Sequence, residues 1–342
     1  MHSMSKGMVQ SQTYAGSLPR VSIGLPVYNG QNYLAKTIAA ILAQTFGDFE
    51  LVISDNASTD DTQRICEEAA ARDKRVRYCR NTVNVGAGPN FDRCFHLARG
   101  EYFKWAAHDD LMAPTYLEKT VAALDANPDA ILCTTAIQEI GPDDSVVRTY
   151  RNHLPGIDST RPHERLAGMT LHRHQCEDIF GLLRREKLIG SQLHGLYLGS
   201  DRVFLAEIAL RGRCISVNEP LFLHREHAAR YTRAILLGDR NNVGTWQTAS
   251  TPAPRKKKPG LYHWLVYSHL WGIVNKNIKR GDERLACYRE LVRWWFTDYH
   301  FMDFVKDILL AFNPALFERI RGIKRAIFGI ESERPGSLTP QG

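Results

Sequence analysis

The sequence predicts an α/β fold, a mostly parallel sheet flanked by helices and followed by a helical C-terminal extension. Three observations predict it. Short apolar runs alternate with segments of helical periodicity from residue 21 to about 137. The polar residues with chemical potential fall just after the apolar runs, where open α/β sheets bind ligands. Beyond residue 260 the pattern becomes helical, basic and rich in aromatics.

The elements follow in order. Val21 to Val27 reads as a buried strand, and Leu34, Ile38, Ile41 and Leu42 give the next segment helical spacing. Phe49 to Ile53 is a second strand. Ser58 or Thr59 is placed to cap a helix from Asp60 to Ala71, whose acidic first turn suits a helix N-terminus. Val76 to Cys79 is a third strand, followed by a glycine-containing loop and a helix to about Ala98. Glu101 to Ala106 is a fourth strand, and Pro114 opens a helix ending near Ala126. Asp129 to Ile137 is a fifth strand, closed by a turn at Gly141-Pro142-Asp143-Asp144. Residues 150–176 read as loop or short helix, Ile179 to Leu183 as strand, Asp201 to Leu210 as helix and Cys214 to Leu223 as extended chain. The boundaries that result are a flexible tail over 1–19, the α/β unit over 20–237, a basic linker over 238–260, a helical region over 261–330 and a flexible tail over 331–342.

Composition narrows the class. The chain has 342 residues, enough for a sizeable core, and its apolar and charged fractions are those of a folded globular protein. A net charge of +7 suits anionic partners without choosing among nucleic acid, lipid surface and phosphorylated small molecules. The seven cysteines are odd in number and form no C-x-x-C pair, which points to a reducing compartment and away from a cysteine-built zinc site. The polar N-terminus lacks the apolar stretch of a secretory signal, and no apolar run is long enough to span a membrane, so a cytoplasmic location is expected.

Three motifs then stand out at strand ends: Ile23-Gly24-Leu25-Pro26-Val27-Tyr28-Asn29, Ser54-Asp55-Asn56-Ala57-Ser58-Thr59-Asp60 and His108-Asp109-Asp110. Gly199-Ser200-Asp201-Arg202, Leu210-Arg211-Gly212 and Arg225-Glu226-His227 follow. In this order and spacing they resemble glycosyltransferase family 2, over roughly residues 20–230. The resemblance implies a GT-A, Rossmann-like catalytic domain over 20–237. It also implies metal-dependent, inverting transfer of a sugar from a UDP-, GDP- or dTDP-sugar to a glycan or lipid-linked acceptor, in bacterial-type cell-surface polysaccharide or glycolipid assembly.

Residue chemistry fits those roles. Tyr28 can stack on a base, with Pro26 and Asn29 beside it. Asp55 and Asn56 can hydrogen-bond base or ribose; the family has a second acid where Asn56 stands. A diphosphate needs a counter-charge, and hard divalent cations, Mn2+ or Mg2+, take oxygen ligands. The resemblance makes Asp110 the direct metal ligand and gives Asp109 the ribose or metal-bound water, with His108 where the motif's first acid usually stands. His227 is expected to complete the metal site, with His224 its rival, and Arg225 or Arg230 to pair the phosphates. Asn90 or Arg93 is expected at the diphosphate, Phe91 occupying the family's arginine position. Asp201, at a helix start, is the candidate general base; the bland alternative is a helix cap.

Other signals lead elsewhere or nowhere. Gly86-x-Gly88 lacks the third glycine of a dinucleotide loop and follows the wrong strand. His163-Glu164 lacks the second histidine of H-E-x-x-H, and the histidines at 172 and 174 form no zinc motif. No nucleic-acid-binding motif accompanies the charge, so no nucleic-acid partner is expected. For residues 261–328, with Trp264, Trp271, Trp294, Trp295 and Phe296, two readings compete: packing on the catalytic domain, or contact with an anionic membrane surface at the inner face. Two other functions stand as alternatives, a nucleotidyltransferase on a similar sheet and a non-catalytic sugar-nucleotide or membrane-surface binder.

Overall fold

The computed structural model describes residues 18–230 and 261–319, apart from positions 153, 173, 196, 198, 229, 298, 299, 314, 317 and 318. The expected linker over 238–260 and C-terminal tail over 331–342 lie outside the described residues, as does the N-terminal tail up to residue 17.

The first half alternates as its periodicity requires. β1 (Val21–Val27) and β2 (Phe49–Asp55) are buried along their whole length, as strands covered on both faces must be. α1 (Leu34–Leu42) connects them and buries Leu34, Ile38 and Ile41. α2 (Thr62–Arg72), β3 (Val76–Arg80), α3 (Ala87–Leu97), β4 (Tyr102–Trp105), the short β5 (Leu111–Met112) and α4 (Tyr116–Asp125) follow. Then come β6 (Ala130–Ile140), β7 (Val146–Tyr150), α5 (Pro162–Leu171), a 3-10 turn at Glu177–Phe180, β8 (Leu182–Arg184), α6 (Arg185–Leu188), α7 (Ser200–Arg211) and β9 (Arg213–Arg225). Three C-terminal helices close the described chain: α8 (Tyr262–Asn277), α9 (Gly281–Phe296) and α10 (His300–Phe312).

The strands form one nine-stranded sheet in the order β3-β2-β1-β4-β8-β6-β9-β5, with β7 paired to β6. β3, β2, β1 and β4 are mutually parallel. β8 runs against both β4 and β6, and β6 runs parallel to β9. The sheet is therefore parallel in its first half and mixed beyond it. The polarity has one consequence for the site. The carboxyl ends of β1, β2, β3, β4, β6 and β9 and the amino end of β8 all lie along one edge.

Two apolar cores cover the two faces. α1, α2 and α4 pack on one, around Leu25, Ile53, Tyr102 and Tyr116. α3, α5 and α7 pack on the other, around Phe103, Trp105 and Phe204, and that core extends without a break into α8–α10 through Leu270, Val274, Leu291 and Phe304. One face of the C-terminal helices thus completes the α/β unit, as the packing reading anticipated.

Local departures from the sequence reading have local causes. α2 begins at Thr62, and neither Ser58 nor Thr59 caps it: Ser58 Oγ accepts the Asn29 N–H, and Asp60 accepts the N–H of Thr62. The segment expected as a strand from Ile179 starts as a 3-10 turn. There the Phe180 carbonyl is taken by Tyr116 Oη and Lys104 Nζ, side-chain donors in place of a strand ladder. In 150–176, left open between loop and helix, Pro162 starts a three-turn helix at its first position.

Candidate active site

The site is assembled from the loops along that edge. β1 is followed by Tyr28, which is 47% exposed, and Asn29, which sits at φ 51°. The turn is laced to the loop after β2: Asn29 Oδ1 accepts the Thr59 N–H, the Gly30 N–H donates to Thr62 Oγ1 and the Gln31 N–H donates to Asp60. Pro26 lies within β1 and is buried.

Below this lip the polar residues are spent on one another. Asp55 is fully buried; its carboxylate accepts from the Ser58 N–H at 2.9 Å and from Tyr78 Oη at 2.7 Å, with Arg80 at 3.5 Å. Asn56 donates to Asn84 Oδ1 and Gly86 O and accepts from Asn81 Nδ2 and the Val85 N–H. Those four bonds fill the capacity of an amide side chain. Asn90 Oδ1 accepts from Ser54 Oγ and Asn81 Nδ2, while its Nδ2 donates to Ser54 O. Arg93 donates to Asn81 Oδ1. Asn56, Asn90 and Arg93, expected at the donor, therefore form one framework around Asn81 that fixes the loop after β3.

The acidic motif splits in two. Asp110 is buried and turned inward: its Oδ1 accepts the backbone N–H of Arg225 at 2.9 Å, with His224 Nδ1 at 3.6 Å. Asp109 keeps a small exposed fraction, with Oδ2 2.9 Å from His227 Nε2 and Oδ1 3.9 Å from His108 Nδ1. Burial disfavours its charge, but the hydrogen bond from His227 and the positive fields of His108, His227 and Arg230 prevail and hold its carboxyl down at about 2. The histidine expected to join Asp110 is thus brought to Asp109. Arg225 is completely buried; its guanidinium bonds to the carbonyls of Asp109 and Gly141 and stacks 4.6 Å over the Tyr33 ring. Arg230 folds back onto His224 and the Arg225 carbonyl.

α7 runs back from this edge toward the start of β9, so its N-terminus faces the site. Gly199 precedes it at φ 79°, and Asp201 lies in the first turn, half-buried, accepting the N–H of Arg202 at 2.8 Å. Its charge is felt by Cys176 and His174 in the segment before β8.

Three further residues stand out in the structure. Glu177 and Asp178 are adjacent buried carboxyls, held by Tyr150 Oη and Asn152 Nδ2. Burial, opposed by Asn152 and assisted by the charge of Glu177, pushes the Asp178 carboxyl up to about 6. Lys104, in β4, is wholly buried behind Asp110 with its Nζ against the Phe180 carbonyl and 4.5 Å over the Tyr116 ring. A lysine between aromatics in a strand covered on both faces is the one clue that could have flagged it, because its amine has no route to water.

Residues 22–189 match the model of glycosyl transferase family 2. The chain carries a glycosyl transferase family 2 domain. Relatives agree with the match. The chain is 37% identical over 108 residues to EpsE of Bacillus subtilis, covering 31% of this chain and 39% of that one. It is 28% identical over 185 residues to an uncharacterized glycosyltransferase of Methanocaldococcus jannaschii, covering 53% and 64%. It is 38% identical over 101 residues to an Escherichia coli chondroitin synthase, covering 30% and 15%. The matches therefore span less than two thirds of these relatives' own lengths. In fold, S. aureus TarS 1-349 superposes with a TM-score of 0.58 at 15% identity, over 81% of this chain and 72% of that one. The architecture is GT-A.

Among the described residues no three His, Cys, Asp or Glu side chains gather into a cation cage. Asp109, held ionised, and His227 offer one oxygen and one nitrogen donor 2.9 Å apart. That is the short protein ligand set expected where substrate phosphates and water complete the coordination.

Proposed function

We propose that this family 2 domain transfers a sugar from a nucleoside-diphosphate sugar to an acceptor hydroxyl, with inversion and with a divalent cation at Asp109 and His227. The observation that carries the reading is the Asp109–His227 pair, at the strand edge that also holds the exposed Tyr28 and the N-terminus of α7. Tyr28 offers its ring to the base. When bound, Mn2+ or Mg2+ would screen the diphosphate and stabilise it as a leaving group; the imidazole favours Mn2+. Asp110 positions its neighbour from beneath.

In the reaction Asp201 takes the acceptor hydroxyl's proton as that oxygen bonds to the anomeric carbon. The bond from that carbon to the diphosphate oxygen breaks, and its electron pair leaves with the nucleotide. UDP-sugars are the first donors to try, because the fold neighbour TarS has been solved with UDP-GlcNAc. All seven cysteines are free thiols, which suits a reducing, cytoplasmic setting. Replacing Asp201 by Asn tests the assignment: kcat should fall roughly 10²–10⁴-fold while donor binding is kept. Turnover at the wild-type rate would remove Asp201 from the reaction and favour a helix-capping role.

An acceptor at an anionic membrane surface fits the C-terminal helices. No helix among the described residues is long and apolar enough to cross a membrane. Yet α10 buries Phe304 while exposing Phe301, Met302, Ile308 and Phe312, and Phe296 at the end of α9 is 75% exposed. Residues 255–330 hold fifteen Lys and Arg against seven Asp and Glu, so the rest of the chain carries a net charge of −1 and this region the entire positive surplus. Exposed apolar side chains within a basic region are the pattern of a surface-bound helix, and the setting we propose is cell-surface glycan or glycolipid assembly.

A further inference from the structure

Arg225 is the most heavily engaged buried charge at the site. Its backbone N–H holds Asp110 Oδ1 at 2.9 Å, and its Nε donates to the Asp109 carbonyl at 2.8 Å. Its Nη1 donates to the carbonyls of Gly141 and Pro142 and lies 2.5 Å from Asp144 Oδ1 in the turn between β6 and β7. Asp144 sits at φ 70° and reaches Lys36 on α1 at 2.7 Å. The Tyr33 ring, also presented from the α1 end, is flanked by the Arg225 guanidinium at 4.6 Å and the His227 ring at 5.1 Å. One residue thus ties the acidic loop, the β6–β7 turn and α1 together, two positions before His227.

We infer that Arg225 and Asp144 form an interior clasp that positions Asp109 and His227 for the cation and donor without touching either ligand. The inference rests on the transferase reading for what the clasp serves, but not for its mechanical claim. A guanidinium with no exposed surface cannot reach a diphosphate at the edge, and its hydrogen bonds are directed at the loop that carries Asp109. The turn carrying Asp144 is a surface hairpin whose ion pair crosses into the site. A change on the rim should therefore alter the geometry of the acidic loop.

The test uses Asp144→Asn, which keeps shape at a partly exposed turn and removes the charge, and Arg225→Lys, which keeps the charge and loses the planar fork. Arg148→Gln, on the same hairpin, paired with Glu139 across it and stacked over the Tyr150 ring but without contact to Arg225, is the control. Without ligand, hydrogen–deuterium exchange of the amides from His108 to Leu111 should quicken severalfold in Asp144→Asn and stay at the wild-type rate in Arg148→Gln. With UDP present, Mn2+ affinity read from the free-ion EPR signal should fall about tenfold, about 1.4 kcal/mol, with kcat at saturating Mn2+ and donor near the wild-type value. Wild-type exchange and wild-type Mn2+ affinity in Asp144→Asn, or equal changes in Arg148→Gln, overturn the clasp. If the wild-type protein itself binds neither Mn2+ nor UDP, the transferase reading fails instead, and the exchange arm still decides the clasp.

Discussion

A residue's type announces its chemistry, whereas its neighbours decide whether that chemistry is free. That Tyr28, Asp109 and His227 lie at the sheet's edge was legible because polar or aromatic side chains just after buried strands fall there. The filling of Asn56 and Asn90 was not legible, because their partners come from the loop after β3, up to 30 positions away from Asn56. Nor was the pairing of His227 with Asp109 while Asp110 accepts the Arg225 N–H arriving from β9. Lys104 gives the sharpest test at this scale. Burial lowers its amine to about 7, opposed by the charge of Asp110 and by the two aromatic rings near Nζ. Between about pH 7 and 10 the unfolded chain then holds more protons than the folded one, so stability rises with pH across that window. Lys104→Met should be more stable than wild type at pH 6, on the order of 1–3 kcal/mol, with the gap closing toward pH 10 in urea melts. A destabilised variant at pH 6 would mean that the amine's bond to Phe180 outweighs its burial.

Elements in the first half were readable because strands buried on both faces and helices with one apolar stripe leave strong periodic signals. The second half was less so. β8 has three residues and β5 two, too short for any period, and both pair antiparallel with strands distant in sequence. α7 buries eight consecutive residues from Val203 to Leu210, yet the sequence reads as a helix over Asp201 to Leu210, and the helix runs from Ser200 to Arg211. Close approach between elements also matters to the site. A Cβ at Gly24 in β1 would lie 2.6 Å from Cys94 Cβ on α3 and 3.0 Å from the Phe103 ring. That gap lets α3 sit against the sheet and carry Asn90 to Ser54. Gly24→Ala should therefore cost about 1–3 kcal/mol by overpacking, measured by chemical denaturation. It should also weaken donor binding, because the asparagine framework moves with α3. An unchanged midpoint would show that the interface has room the structure does not indicate.

For the whole molecule, charge and apolar exposure are distributed unevenly. The sequence left two uses open for the C-terminal helices, and the structure shows the first on one side, where Leu270, Leu291 and Phe304 join the core around Phe204. Their other side exposes apolar side chains among charged ones, within the region that supplies the chain's positive surplus. Vesicle co-sedimentation separates the uses. The protein should bind vesicles containing anionic phosphatidylglycerol, lose affinity as salt rises, and bind about tenfold less well when Phe301 and Phe312 are changed to Ser, on the scale of apolar burial. Equal binding to neutral vesicles, or none to either, would leave the surface without this partner. Asp109 and His227 are the proposed meeting point of donor and cation. The most direct measurement is a thermal-shift titration with UDP-, GDP- and dTDP-sugars, with and without Mn2+, on wild type and Asp109→Asn. At a hundred times its dissociation constant the right donor should add about 2.7 kcal/mol, only with Mn2+ present, and Asp109→Asn should lose the gain. A shift that needs no metal and persists in Asp109→Asn, or no shift with any donor, would contradict the account.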